Sequence, residues 1–143
     1  MRSYLIVANQ TLASPIVANV IAERVETGPA RFHIVVPATP LQHGLTWNEE
    51  EAHAAAQERL DAAIARLHEL GVDATGEVGE KDPIAAVRDA LREHPADEVI
   101  LSTLAPGISR WLGQDVPARL KAAVPVPVTV LTPAAEPAET TSA

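Results

Sequence analysis

Short β-branched runs alternate along this chain with segments whose apolar residues recur at helical spacing, and that alternation constrains the fold more than any other feature. Tyr4 to Ala8 is too short for a helix and too continuously apolar for a half-exposed strand, so it reads as a buried parallel strand. Phe32 to Val36, Glu98 to Leu101 and Val126 to Leu131 read as further strands. Val72 to Val78, interrupted by Gly76, is weaker and reads as an exposed strand at a sheet edge.

The helices are marked at their starts. Ser14-Pro15 and Asp82-Pro83 each place a capping side chain before a proline, whose missing N–H is harmless in the first turn. Behind the first cap, Ile16, Val17, Val20, Ile21 and Val25 recur at helical spacing until Thr27-Gly28; behind the second, Ile84, Val87 and Leu91 do so until His94-Pro95. A long helix is expected from Thr46, where Thr46-Trp47-Asn48-Glu49 has capping-box spacing and Glu49, Glu50 and Glu51 suit the positive helix end. Leu60, Ile64, Leu67 and Leu70 mark its buried stripe, and it stops at Gly71. A last helix covers Val116 to Ala123. The β-α-β-α-β-α-β-α-β order predicts an α/β fold, a single-domain doubly wound five-stranded parallel sheet with helices on both faces, spanning residues 1–132. Residues 133–143, rich in Pro, Ala, Glu, Thr and Ser, have nothing to bury and are expected to form a disordered tail.

Composition narrows the chemistry. The 143 residues include no cysteine, which removes disulfides, thiolate metal sites and cysteine nucleophiles. A net charge of -8 opposes attraction to nucleic acid or anionic membranes. The amino-terminal apolar run is too short to cross a bilayer and lacks the pattern of a secretory signal, so a soluble cytoplasmic protein is expected. With aromatics at only 3%, the core must be built from Val, Ile, Leu and Ala.

In an open parallel sheet, ligands sit beyond the carboxyl ends of the strands where the strand order reverses. The loop after Leu101, with Ser102, Thr103, Gly107 and Ser109, offers small side chains and accessible backbone amides there, and Arg110 can clamp a phosphate. Arg110 is equally readable as a solvated or ion-paired residue, and Trp111 as core filling rather than a base-stacking platform.

The element order, the Gly79-Glu80-Lys81-Asp82-Pro83 entry to the third helix, the Asp97-Glu98-Val99-Ile100-Leu101 strand and the Pro125-Val126-Pro127-Val128 approach to the last strand resemble the universal stress protein family from Tyr4 to Leu131. The resemblance implies sheet order 3-2-1-4-5, an adenine-nucleotide site between the ends of strands one and four, and a homodimer through the last strand. It places the site at Ala8, Asn9, Gln10, Val36, Leu101, Ser102, Thr103, Gly107, Ser109, Arg110, Gly113 and Gln114. Nucleotide-binding members end strand one in Asp, and carry a loop of Gly, two residues, Gly, nine residues, Gly and Ser or Thr. Here Asn9 replaces the Asp, Ser102 the first Gly, and Gly113-Gln114 the final pair, with the loop two residues short. Asn9 reads either as a hydrogen-bonding partner for a ribose or base, without the charge of Asp, or as a polar strand terminus. The implied ligand is ATP or AMP, held weakly, or a bare anion.

No catalytic or metal-binding residue is assigned. Glu49 to Glu51 with His53 are explained by the helix dipole, and His33, His43, His68 and His94 are scattered without a His-x-x-x-His pair. The Gly-x-Ser-x-Gly, phosphate-loop and GxGxxG signatures are absent. Three functions remain open: a stress-linked adenine-nucleotide-binding dimer, a nucleotide-free dimerisation or interaction module, and a weak ATPase.

Overall fold

A computed structural model describes residues 1–9, 11–38, 49–103 and 115–132. Five strands, β1 (Arg2–Val7), β2 (Ala30–Pro37), β3 (Asp73–Gly79), β4 (Glu98–Ser102) and β5 (Val128–Leu131), alternate with α1 (Pro15–Glu26), α2 (Glu49–Glu69), α3 (Pro83–Glu93) and α4 (Val116–Ala123). All strands are parallel, in the order β3-β2-β1-β4-β5, so β1 sits at the centre and β3 and β5 at the edges.

Because side chains alternate across a strand, each strand feeds two cores. Tyr4, Ile6, Phe32, Ile34 and Ile100 meet Val17 and Ile21 of α1 and Ala56, Leu60 and Leu67 of α2. Leu5, Val7, Val35, Val99 and Leu101 meet Ile84, Val87 and Ala90 of α3 and Leu120 of α4. Tyr4 and Phe32 stack at 5.2 Å, one of few aromatic contacts in a core of aliphatic side chains.

Local signals become structure where they were expected. Ser14 Oγ accepts from the Val17 N–H at 3.4 Å, and Asp82 Oδ1 from the Ile84 N–H at 3.1 Å, each satisfying a donor the helix itself leaves orphaned. Gly71, at φ +78, ends α2: its N–H reaches the His68 carbonyl and the Val72 N–H the Leu67 carbonyl, a reversal that a side chain at that φ would strain. Gly76 is a matter of space, since a Cβ there would lie 2.5 Å from Leu60 Cδ1 and 2.9 Å from the Ile34 carbonyl oxygen.

Several expectations are corrected. Leu70 and Val25, both assigned to buried stripes, are 69% and 43% exposed. Val25 is the last apolar residue of α1 and Leu70 follows the end of α2, and both border the space between the two helices. The buried stripe of α2 is instead Ala52, Ala56, Leu60 and Leu67. The strand β3 starts at Asp73 rather than Val72, and β5 at Val128 rather than Val126, because Pro125 and Pro127 have no N–H for a ladder. The expected capping box at Thr46 and the tail at 133–143 lie outside the described residues. Among the described residues no helix is long and apolar enough to cross a membrane.

Candidate functional site

The strand order brings β1 and β4 side by side, with Val7 level with Leu101, so the chain leaving β1 and the chain leaving β4 emerge together at the switch point. Ala8 is fully buried, its N–H on the Val35 carbonyl at 3.3 Å. Leu101 and Val36 point into the core, with the Val36 main chain in the ladder opposite Val78. The polar groups begin at Asn9, Thr11, Ser102 and Thr103, all buried.

Asn9 is doubly engaged. Its Nδ2 donates to the Pro37 carbonyl at 2.8 Å, tying the end of β1 to the end of β2, and its Oδ1 accepts from Arg59 Nη1 at 2.6 Å. Next to it, the hydroxyls of Thr11 and Ser102 share a hydrogen bond of 2.6 Å that joins the β1 and β4 exits. Thr103 ties β4 to β5: its N–H donates to the Leu131 carbonyl at 2.9 Å, and its hydroxyl lies 3.0 Å from that of Thr132. Of the predicted residues, Asn9, Ser102 and Thr103 thus each bond to a neighbour outside that set: Pro37 and Arg59, Thr11, and Leu131 with Thr132.

Arg59 is the residue that the sequence reasoning missed. It follows Ala56 by three positions and precedes Ala63 by four, which puts a guanidinium on the core-facing stripe of α2. An arginine in such a stripe was the available signal. Among the described residues it has no carboxylate partner, and one of its five N–H donors is spent on the Asn9 amide.

Asn9 and Arg59 also border a cavity of about 920 Å³ between α1 and α2. Val17, Ile21, Ile34 and Leu67 line its body, and the exposed Val25 and Leu70 border its other end. Of the described candidate residues, Asn9 alone lines it. Gln10, Gly107, Ser109, Arg110, Gly113 and Gln114 lie outside the described residues. The chain is described again at Asp115, in the left-handed region at φ 59, whose side chain makes no capping hydrogen bond to α4.

Two of the histidines meet in space. His33 and His94, far apart in sequence, stack with ring centroids 3.7 Å apart beside Glu77. Sequence spacing could not show this, because the sheet register and the end of α3 create the contact.

The fold is that of the universal stress proteins. A universal stress protein family member from Burkholderia pseudomallei superposes with a TM-score of 0.66 at 18% identity, over 91% of this chain and 95% of that one. A family member from Arabidopsis thaliana, solved with AMP bound, gives 0.63 at 11% identity over 99% and 97%. A universal stress protein in complex with cAMP gives 0.56 at 18% identity over 92% and 96%. No family sequence model matches the chain, and no curated protein matches it.

Proposed function

We propose that this chain is a nucleotide-responsive protein of the universal-stress-protein type that binds an adenine mononucleotide, and ATP only weakly, beside the exits of β1 and β4. The observation that carries the reading is the pairing of Arg59 with an amide at position 9. A carboxylate there would neutralise the guanidinium. Asn9 fixes its position and leaves its charge for an anion, and an Arg offers a phosphate two parallel donors. The structural relatives solved with AMP and with cAMP support the same ligand class. The shortened loop between Ser102 and Gly113 has fewer backbone amides to offer a triphosphate than the family's longer one. No catalytic role is assigned to any residue, and a stress-linked role is part of the proposal, supported by the fold likeness alone.

Isothermal calorimetry with AMP, cAMP, ATP and inorganic phosphate tests this. The expected order is AMP or cAMP above ATP, with Arg59→Ala weakening AMP about tenfold, the equivalent of ~1.4 kcal/mol. Asn9→Asp should weaken it as well, by neutralising Arg59. Absence of AMP binding at millimolar concentration, or an Arg59→Ala variant that binds AMP as well as wild type, overturns the reading.

The same protein is proposed to pair with a second copy through β5. Val128 to Leu131 form an edge strand bonded on one side to β4, and all four residues remain only partly buried, an arrangement that natural sheets cover or pair. Sedimentation across a concentration series should show a dimer, and a chain that stays monomeric throughout rules this interface out.

A further inference from the structure

We propose that His33, Glu77 and His94 form a binding site for a zinc-class divalent cation, on the α3 face of the sheet and independent of the nucleotide reading. His33 lies on β2 level with Thr75 of β3, and Glu77 follows two positions along the same strand, so all three side chains share one face of the sheet. His33 Nδ1 is 2.7 Å from Thr75 Oγ1, and its Nε2 is 3.0 Å from Glu77 Oε2. His94, the residue that ends α3, lays its ring on that of His33 at an interplanar angle of 14°. The three donor atoms all lie within 4.8 Å of one another.

The arrangement is better suited to a cation than to packing alone. Two imidazoles face to face beside a carboxylate gain little from each other, and a proton on either ring repels one on the other. Burial pushes the His33 imidazole below its ordinary value of 6.5, with Glu77 opposing this and His94 adding to it, so the ring is neutral and competent to ligate at pH 7. Glu77 can only accept, so without an ion Nε2–H donates to Glu77 and Nδ1 accepts from the Thr75 hydroxyl; a cation takes the Nε2 lone pair of the other neutral tautomer, whose Nδ1–H donates to Thr75.

Two ligands held ~2.0 to 2.1 Å from zinc at a tetrahedral angle stand about 3.3 Å apart. The 3.0 Å between His33 Nε2 and Glu77 Oε2 needs to widen only slightly to admit the ion. The parallel rings do not aim their lone pairs at one point, so His94 must turn about its side-chain torsions. It is exposed at a helix end and free to do so. Water completes the coordination. Two nitrogens and one carboxylate select zinc, nickel or copper over magnesium and calcium. The bound ion would clip edge strand β3 and the end of α3 to β2.

The test is titration of the chelator-treated full chain with Zn²⁺, with Mg²⁺ as control, by calorimetry and thermal denaturation. The expected result is one Zn²⁺ per chain, a raised melting temperature, no response to Mg²⁺, and binding that weakens in acid as protons compete with the ion for the ligands. His94→Ala and Glu77→Gln, at side chains exposed enough to be replaced without emptying the core, should abolish the stoichiometric uptake while retaining the wild-type far-ultraviolet circular dichroism. A merely packed His94 would alter melting without altering zinc uptake. Failure of wild type to take up Zn²⁺, or undiminished uptake by both variants, overturns the proposal.

Discussion

At the amino end of the central strands, Glu98 of β4 accepts hydrogen bonds from Arg24 of α1 at 3.2 and 2.9 Å and a short one from the Thr129 hydroxyl of β5. At the carboxyl end, Asn9 bonds the Pro37 carbonyl and Arg59, and Thr11 bonds Ser102. Both ends stitch neighbouring elements together, but their charge accounting differs. Arg24 and Glu98 cancel each other, with side chains only 23% and 13% exposed, and so tie α1 to β4. Arg59 is held by a neutral amide and keeps its charge. The Arg24–Glu98 pair at the amino end is thus neutralised and structural, and the function proposed above draws on the charge that Arg59 keeps at the carboxyl end.

The strongest test of that contrast is Arg24→Ala, which strands the Glu98 carboxylate in a partly buried site and should destabilise the chain by roughly 2 to 3 kcal/mol in urea unfolding. Glu98→Gln combined with Arg24→Ala should cost less than Arg24→Ala alone, since no charge is then left unpaired. A double variant as unstable as the single one would show that the loss is packing.

Acid should act on the same end next. Burial alone would raise the Glu98 carboxyl, but hydrogen bonds from Arg24 and Thr129 and the nearby arginine charges hold it below its ordinary 4.5. A depressed carboxyl stabilises the fold above its unfolded value, and that stability is lost as pH falls through the lower folded value. The depressed His33 gives an earlier loss, beginning as pH falls below about 6.5, because the unfolded chain takes up the proton more readily. Glu77 of β3, with Glu93 and His94 at the end of α3, surround that ring and set the depth of the window. Urea midpoints followed from pH 8 to 3 should therefore fall in two stages, and Arg24→Ala should flatten the second only.

Ser102→Ala should have the smallest effect. It leaves the Thr11 hydroxyl without its buried partner, at about 1 kcal/mol, with no change in pH profile because neither group titrates. A Ser102→Ala loss larger than that of Arg24→Ala would reverse the assignment of the two ends.

Most of the fold was legible because its signals are local. The Ser14 and Asp82 caps, the prolines behind them and the Gly71 stop act over a few residues, and continuous apolar runs mark strands wherever they sit. Of the candidate site, Asn9, Ser102 and Thr103 were legible as polar residues at the ends of apolar strands; that they are buried and hydrogen-bonded there was not. Leu70 was misjudged because periodicity says which face an apolar residue takes and not whether anything covers it there.

Sequence by itself determined the alternation of elements, their starts and stops, and the neutral residue at the end of β1. Tertiary structure alone decided which distant side chains meet: Arg59 with Asn9 across 50 positions, Arg24 with Glu98 across 74, and Thr11 with Ser102 across 91. It also stacked His33 on His94. The physical reason is that hydrogen-bond caps and apolar periods are satisfied within a turn or a strand, whereas these pairs depend on sheet register and on how each helix docks after a crossover, which no local spacing encodes.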